Sequence, residues 1–188
     1  VSAEILPPVS VAEQARAAQR DALEQVILVD EQDRPLSIAG KLEAHRLGQL
    51  HRAFSILIFN QHDELLLQQR ARVKYHFGCL WSNTCCGHPR PDEPIEAAAR
   101  RRLHEEFGIR AELNEQIEFV YRTEDPASGL IEHEYLHVFH GRCTVSPRPD
   151  PVEIGAWRWL AVPRVRRAVG LHPDWFTPWF RLLVERVL

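Results

Sequence analysis

The chain of 188 residues has no methionine, no long apolar run, no excess of positive charge and only four cysteines, at 79, 85, 86 and 143. Without an apolar run of about 18 residues, no transmembrane helix is expected. A net charge of -3 gives no electrostatic case for nucleic acid or an anionic membrane as partner. Four cysteines in this length do not make a disulfide scaffold. Adjacent Cys85 and Cys86 also lack the C-x-x-C spacing of a structural zinc site. A reducing, cytoplasmic setting is the simplest expectation. Methionine is absent even at position 1, consistent with a chain that starts after a trimmed residue. Residues 1–24 carry Glu4, Glu13, Asp21 and Glu24 with no continuous apolar core, so they do not read as a secretory leader. The remaining composition, 45% hydrophobic and 26% charged, is that of an ordinary globular domain. Histidine is the abundant exception, with ten residues, several beside other potential ligands.

The pattern along the chain predicts an N-terminal extension over residues 1–24 and one domain over 25–188. After Pro7 and Pro8, an Ala/Gln/Arg stretch reads as a short surface helix. Strands are expected over 24–30, 53–60, 64–69, 118–123, 133–140 and 156–162. A helix is expected over 94–107, with Pro94 in its first turn and Gly108 as its stop. A C-terminal amphipathic helix over 174–187 is expected to open on Asp174 as N-cap. Mixed strands with a few helices suggest an α+β fold, an αβα sandwich around a mixed sheet.

The helix at 94–107 carries charge on its apolar side. Ile95, Ala98, Ala99, Leu103 and Phe107 recur at helical spacing, and Arg102 and Glu106 fall inside that stripe. An unpaired buried charge costs several kcal/mol, so both need partners: each other, a metal, or a bound phosphate. Upstream, His45 and His51 stand six apart, which is not the spacing of a zinc helix and is weak by itself. Glu132 and Glu134 share one face of an expected strand, while Tyr135, His137 and Phe139 take the other. Side-by-side carboxylates repel, and a cation or the protonation of one relieves this. The same pair also fits the wet face of an edge strand. His88 follows Cys86 by two residues, which puts both on one side if the segment is extended. Three histidines and two glutamates together suit a divalent ion: Mn²⁺, Mg²⁺ or Zn²⁺.

Gly87, Glu93, Arg101, Leu103, Glu105, Glu106, Gly108 and Ile109 fall at the spacing of G-x5-E-x7-R-E-U-x-E-E-x-G-U, where U is a bulky aliphatic. This resembles the Nudix box, with Arg102 where the box has Glu. The match implies a diphosphate-and-metal fold, and the break suggests that hydrolysis is not the activity. Four segments narrow the resemblance: LEAHRLGQLHRAFS, LWSNTCCGHPR, YRTEDPASGLIEHE and WFTPWF. Together they look like type I isopentenyl diphosphate isomerase, a Nudix-fold family, from about residue 25 to the C-terminus. The resemblance implies that Cys86 and Glu134 are catalytic, with Tyr121 and Trp179 near the reacting carbons. It implies that His45, His51, His88, Glu132 and Glu134 hold a tightly bound metal. It implies that Glu106 helps hold a second Mg²⁺ that bridges to the diphosphate. Lys41, Arg70, Lys74 and Arg102 match basic groups around that diphosphate. Departures lie in loops: one residue fewer between His45 and His51, one more between Tyr121 and Glu132 with Ala127 the insertion, and Tyr75-His76-Phe77-Gly78 after Lys74. Cys85 matches a small-residue position and is not expected to be catalytic.

The reaction implied moves a double bond in a five-carbon diphosphate: a proton is added at C4 and another is removed from C2, through a cationic C3. Cys86 and Glu134 are expected on opposite sides of the substrate, one giving and one taking the proton. The enzyme is expected to be a monomer acting on a small diphosphate. Two other classes compete. A Nudix hydrolase of a nucleoside diphosphate derivative wants the carboxylate that Arg102 replaces. A binding module that keeps only the fold would tolerate loss of Cys86 or Glu134, and both are present.

Overall fold

The computed structural model describes residues 4–5, 7–74 and 76–188; Tyr75 of the loop after Lys74 lies outside them. In chain order the elements are β1 (Glu4–Ile5), α1 (Val11–Leu23), β2 (Gln25–Val29), β3 (Pro35–Gly40), α2 (Lys41–Leu47), β4 (His51–Phe59), β5 (Glu64–Arg70), β6 (Trp81–Ser82), β7 (Cys85–Gly87), α3 (Ile95–Phe107), β8 (Leu113–Glu124), β9 (Ile131–Arg142), β10 (Ile154–Ala161), α4 (Val162–Leu171), a 3₁₀ turn (Pro173–Trp175) and α5 (Pro178–Arg186).

Strand β4 organises the mixed sheet. It pairs parallel with β9 over nine positions, from His51 opposite Glu134 to Phe59 opposite Arg142. A parallel pair needs a long crossover, and here the connection runs through α3. Strand β9 then folds back on β8 as an antiparallel pair. Elsewhere along β4, Phe54, Ser55 and Ile56 meet β7, His51 meets β2, and Phe59 meets β5.

Because side chains alternate across a strand, β4 feeds two cores. Phe54, Ile56 and Ile58 pack with Ala98, Ala99, Leu103 and Phe107 of α3. Ala53 and Leu57 pack with Val165, Phe180 and Leu183 of the C-terminal helices on the other face. Each such large side chain, fully buried, contributes roughly 1.5–3 kcal/mol. The result is the expected αβα sandwich. The vicinal cysteines obey the same alternation: Cys85 belongs to the α3 core, while Cys86 packs at the edge of the other.

Local chemistry sets the helix ends. Ser10 and Glu13 form a reciprocal capping box that starts α1. Gly108 stops α3 at φ 65°, as expected, but Pro94 precedes the helix as its N-cap instead of lying in its first turn. The C-terminal helix starts later than expected. Asp174 lies in the 3₁₀ turn, and α5 opens at Pro178 behind Thr177. Proline at the first helical position holds Thr177 extended, at ψ 146°, and the Thr177 N–H donates to the Trp81 carbonyl at 2.9 Å. Helices α2 and α4 are too short for periodicity to reveal. The N-terminal residues join the rest: β1 pairs with β10, and Asp21 and Glu24 accept from the Lys41 Nζ at 3.1 and 2.6 Å.

Among the glycines of the described residues, Gly141 of β9 leaves the least room for a side chain. A Cβ there would stand 2.6 Å from the Glu112 carbonyl and 3.1 Å from Ile58 Cδ1. Gly141→Ala is therefore expected to destabilise the protein by about 1–3 kcal/mol through overpacking. A urea titration checks this, with a lower midpoint at unchanged slope; an unchanged midpoint would mean that the start of β8 yields freely.

Candidate active site and metal centre

Three strand registers assemble the site. His51 of β4 lies opposite Glu134 of β9, Glu134 opposite Tyr121 of β8, and Ser55 of β4 opposite Cys86 of β7. Helix α2 adds His45, and Gly48 at φ 62° turns the chain from that helix back into β4. That turn is how two histidines six apart come to share one site. The His45 and His51 ring centroids are 4.8 Å apart, and that of His88, just beyond β7, is 5.0 Å from His51 and 5.6 Å from His45. Donor atoms of His45, His51, His88 and Glu132 all lie within 4.8 Å of one another, and all four residues are buried.

The hydrogen bonds fix the tautomers. A carbonyl oxygen only accepts, so His45 donates from Nδ1 to the Lys41 carbonyl at 2.6 Å and His51 from Nδ1 to the Gln49 carbonyl at 2.8 Å. Both Nε2 lone pairs then point inward. His45 Nε2 lies 3.1 Å from Glu132 Oε2, while His51 Nε2 is buried with no hydrogen-bond partner. An unsatisfied buried polar atom costs about 1–3 kcal/mol. A divalent cation on these nitrogens removes that cost, and backbone carbonyls that orient imidazoles are the usual outer support of such an ion. The buried group therefore fits a metal.

The electrostatics of His51 and His88 agree with that fit. Burial, helped by the neighbouring imidazoles, pushes His51 well below its ordinary range and His88 down to about 3. Neutral imidazole is the form that ligates. For His45, burial opposes protonation, but the Glu132 carboxylate outweighs it and raises the pKa. The two strand glutamates diverge. Burial opposes ionisation of Glu132, yet His76 and His45 hold it well below the usual carboxylate range. Burial, joined by the charge of Glu132, pushes Glu134 well above that range. The Tyr121 hydroxyl donates to Glu134 Oε2 at 2.7 Å.

From this centre a cavity of about 600 Å³ opens outward. Cys86, Tyr121, Glu134 and Trp179 stand on its walls. The Cys86 thiol lies 3.4 Å from Ser55 Oγ and 3.2 Å from Asn83 Oδ1, and burial pushes its pKa up to about 12. Trp179 donates from Nε1 to Ser82 Oγ at 2.9 Å, and the Arg70 guanidinium lies 5.3 Å from its ring centroid. Farther along, Arg102 reaches Glu105, Glu106 and Glu153 at 2.7, 2.5 and 3.3 Å, and Lys74 reaches Glu153 at 2.7 Å. So Arg102 and Glu106 do pair within the helix, and the pair also belongs to a larger cluster on the cavity wall. Lys41 also lines the cavity. It holds Glu24 at about 2 despite burial, which opposes ionisation.

All the residues singled out from sequence are thus brought to this cavity or directly behind it. Sequence reasoning missed Glu153, which is only 4% exposed, and the buried His76. His76 was visible only as an unusual loop residue, and Glu153 gave no signal because its partners come from distant segments.

The sheet, the flanking helices and the box helix define a NUDIX domain, and the NUDIX domain family model matches residues 49–181. A solved protein from Deinococcus radiodurans shares the fold, with a TM-score of 0.72 at 19% identity, covering 87% of this chain and 98% of that one. Sequence similarity is narrower. The chain is 49% identical over 165 residues to the isopentenyl-diphosphate Delta-isomerase of Halorhodospira halophila, covering 87% of this chain and 94% of that protein. It is 50% identical over 163 residues to that of Burkholderia multivorans, covering 87% and 92%. The chain belongs to the isopentenyl-diphosphate Delta-isomerase family.

Two outcomes follow from the buried cluster. Metal-free protein given a divalent cation at about 100 times its Kd should gain roughly 2.7 kcal/mol of stability. His51→Ala should abolish that gain and the tightly held metal, read by thermal melting and elemental analysis. The second concerns acid. Folded His76 and His88 titrate at about 4 and about 3, against 6.5 for the ordinary side chain. Between those values the unfolded chain binds more protons, so stability is full above pH 6.5 and falls as pH drops. Each imidazole adds a slope of up to about 1.4 kcal/mol per pH unit. Urea midpoints of metal-free protein from pH 6.5 to 4.5 should fall less steeply in His88→Asn, by about one proton. Parallel slopes would show that His88 is not neutral in the folded state.

Proposed function

We propose that the protein interconverts isopentenyl diphosphate and dimethylallyl diphosphate, an isomerisation of isoprenoid biosynthesis. One observation carries the reading beyond family membership. A neutral thiol, Cys86, and a tyrosine-bonded carboxyl group, Glu134, line one cavity together with Lys74 and Arg102. An isolated alkene is a very weak base, so it needs a positioned acid on one side and an acceptor on the other. Cys86 and Glu134 are these two groups. The proton arrives at C4 and another leaves C2, and the reverse reaction uses the same pair with roles exchanged. Trp179 faces the cationic carbon between them, a contact worth about 2 kcal/mol when desolvated. Tyr121 holds Glu134 in place.

Lys41, Arg70, Lys74 and Arg102 bind the diphosphate, with Glu106 as the residue that would hold an Mg²⁺ to help neutralise it. His45, His51, His88, Glu132 and Glu134 would hold a divalent ion, with Mn²⁺, Mg²⁺ or Zn²⁺ all suited to that donor set, and its positive charge would favour the ionised form of Glu134. Residues 1–24 act as an extension to the 25–188 domain, and Arg16 and Gln19 of α1 complete the cavity mouth. One chain builds the whole cavity, so a monomer suffices. A cytoplasmic setting keeps Cys86 reduced beside Cys85. Among the described residues no helix is long and apolar enough to cross a membrane.

Proton NMR in D₂O with isopentenyl diphosphate and Mg²⁺ tests the assignment. Wild-type protein should form dimethylallyl diphosphate carrying solvent deuterium. Cys86→Ala and Glu134→Gln should each lose about 10²–10⁴-fold in rate. Release of phosphate or pyrophosphate without isomerisation would instead mark a hydrolase.

A further inference from the structure

Between β5 and β6, residues 71–74 and 76–80 of the connecting loop lie against the buried His/Glu group. Backbone bonds pin both of its ends: Arg70 N–H to the Leu80 carbonyl at 2.9 Å, Cys79 N–H to the Arg70 carbonyl at 3.0 Å, and Ala71 N–H to the Glu153 carbonyl at 2.9 Å. Its middle is held too, by the Phe77 N–H on Asp125 Oδ2 at 3.4 Å. Phe77 and Cys79 take left-handed backbone, at φ 48° and 65°. Such conformations are unfavourable for residues with a Cβ and persist where the surroundings over-determine them.

What this path delivers is the His76 side chain. The ring is buried, with its centroid 5.6 Å from that of His45 and 6.4 Å from that of Trp179. Its Nε2 meets Oε1 of Glu132. The other oxygen of the same carboxylate, Oε2, lies 3.1 Å from His45 Nε2. A carboxylate oxygen accepts, so His76 donates. The group of mutually close donors comprises His45, His51, His88 and Glu132, without His76.

We infer that His76 is a positioning residue of the metal centre: by hydrogen-bonding one oxygen of Glu132, it sets the other toward the imidazoles that bind the ion. The inference rests on the reading that this buried group holds a divalent cation. A free carboxylate samples many orientations about its last side-chain bond. Fixing one oxygen removes that freedom before the ion arrives, so affinity rises with no added ligand. Outer partners of this kind are typically worth 10–100-fold in metal affinity.

Cobalt(II) titration of metal-free protein tests this, using visible absorption for the ligand field and a competing chelator for Kd. His76→Ala should weaken Co²⁺ binding by about 10–100-fold. Its saturated spectrum should match wild type, because the ligands are unchanged. His76→Gln keeps an N–H donor and should recover most of the loss. Thermal melts of the metal-free proteins establish that both variants fold. Equal affinity in wild type and His76→Ala would overturn the positioning role alone. A shifted saturated spectrum with no rescue by His76→Gln would also overturn it, since His76 would then be a ligand itself. Wild-type protein that takes up no Co²⁺, with His51→Ala no different, would overturn the metal reading and this inference together.

Discussion

The parallel register between β4 and β9 is the constraint on which the rest depends. It sets His51 opposite Glu134, and antiparallel pairing on either side then sets Cys86 opposite Ser55 and Tyr121 opposite Glu134. The site is thus one stripe of side chains across β7, β4, β9 and β8, all on the face away from α3. A slip of one residue would turn every member of that stripe into the opposite core. The apolar alternation of β4 resists such a slip, because Phe54, Ile56 and Ile58 would have to leave their places against Leu103 and Phe107. Packing on the silent face therefore holds the geometry of the chemical one.

Within that stripe, burial alone would make every ionisable group neutral. The departures come from neighbours. Glu132 stays ionised because His45 and His76 flank it, while Glu134, two residues on, is pushed the other way by burial and by Glu132 itself. Two like residues two positions apart are thus driven in opposite directions by what surrounds them. At Cys86 burial outweighs the hydrogen bonds of Ser55 and Asn83 and the charge of Arg70, and the thiol stays protonated.

Much of this was legible in the residues. Box spacing located α3, Gly108 and the buried Glu106, and alternation placed Glu132 and Glu134 on one face of β9. Those readings depend on local periodicity, which a strand or helix converts directly into a face. What periodicity could not reach was set by contacts between distant segments. Helix α5 begins at Pro178 and not at Asp174, because Thr177 is tied to Trp81 and Ser82, almost a hundred positions earlier in the chain. Helix α2 is a single short segment whose value lies in carrying Lys41 and His45. His76 and Glu153 belong to loops, where neither type nor spacing announces a role, and only folding shows that each meets a charged partner.

The exchange at Arg102 draws these strands of argument together. In the box, a carboxylate at this place would join Glu105 and Glu106 in a negative cage at the end of α3. Arginine there turns the cage into a balanced cluster with Glu106, Glu153 and Lys74. A balanced cluster has less reason to hold several cations, but it can exchange carboxylate partners for an incoming anion without exposing an unpaired charge. The group of close donors that could hold a metal lies apart from that cluster, on His45 of α2, His51 of β4, His88 after β7 and Glu132 of β9. For the isomerisation we propose, that separation is useful. In that reading the basic groups take the diphosphate, and the buried Cys86 and Glu134 are left to the carbon skeleton. A hydrolase needs a fuller carboxylate cage on this helix, with several metal ions beside the diphosphate and an activated water between them. The same helix thus serves either chemistry, depending on which side chain occupies one position of its first three turns.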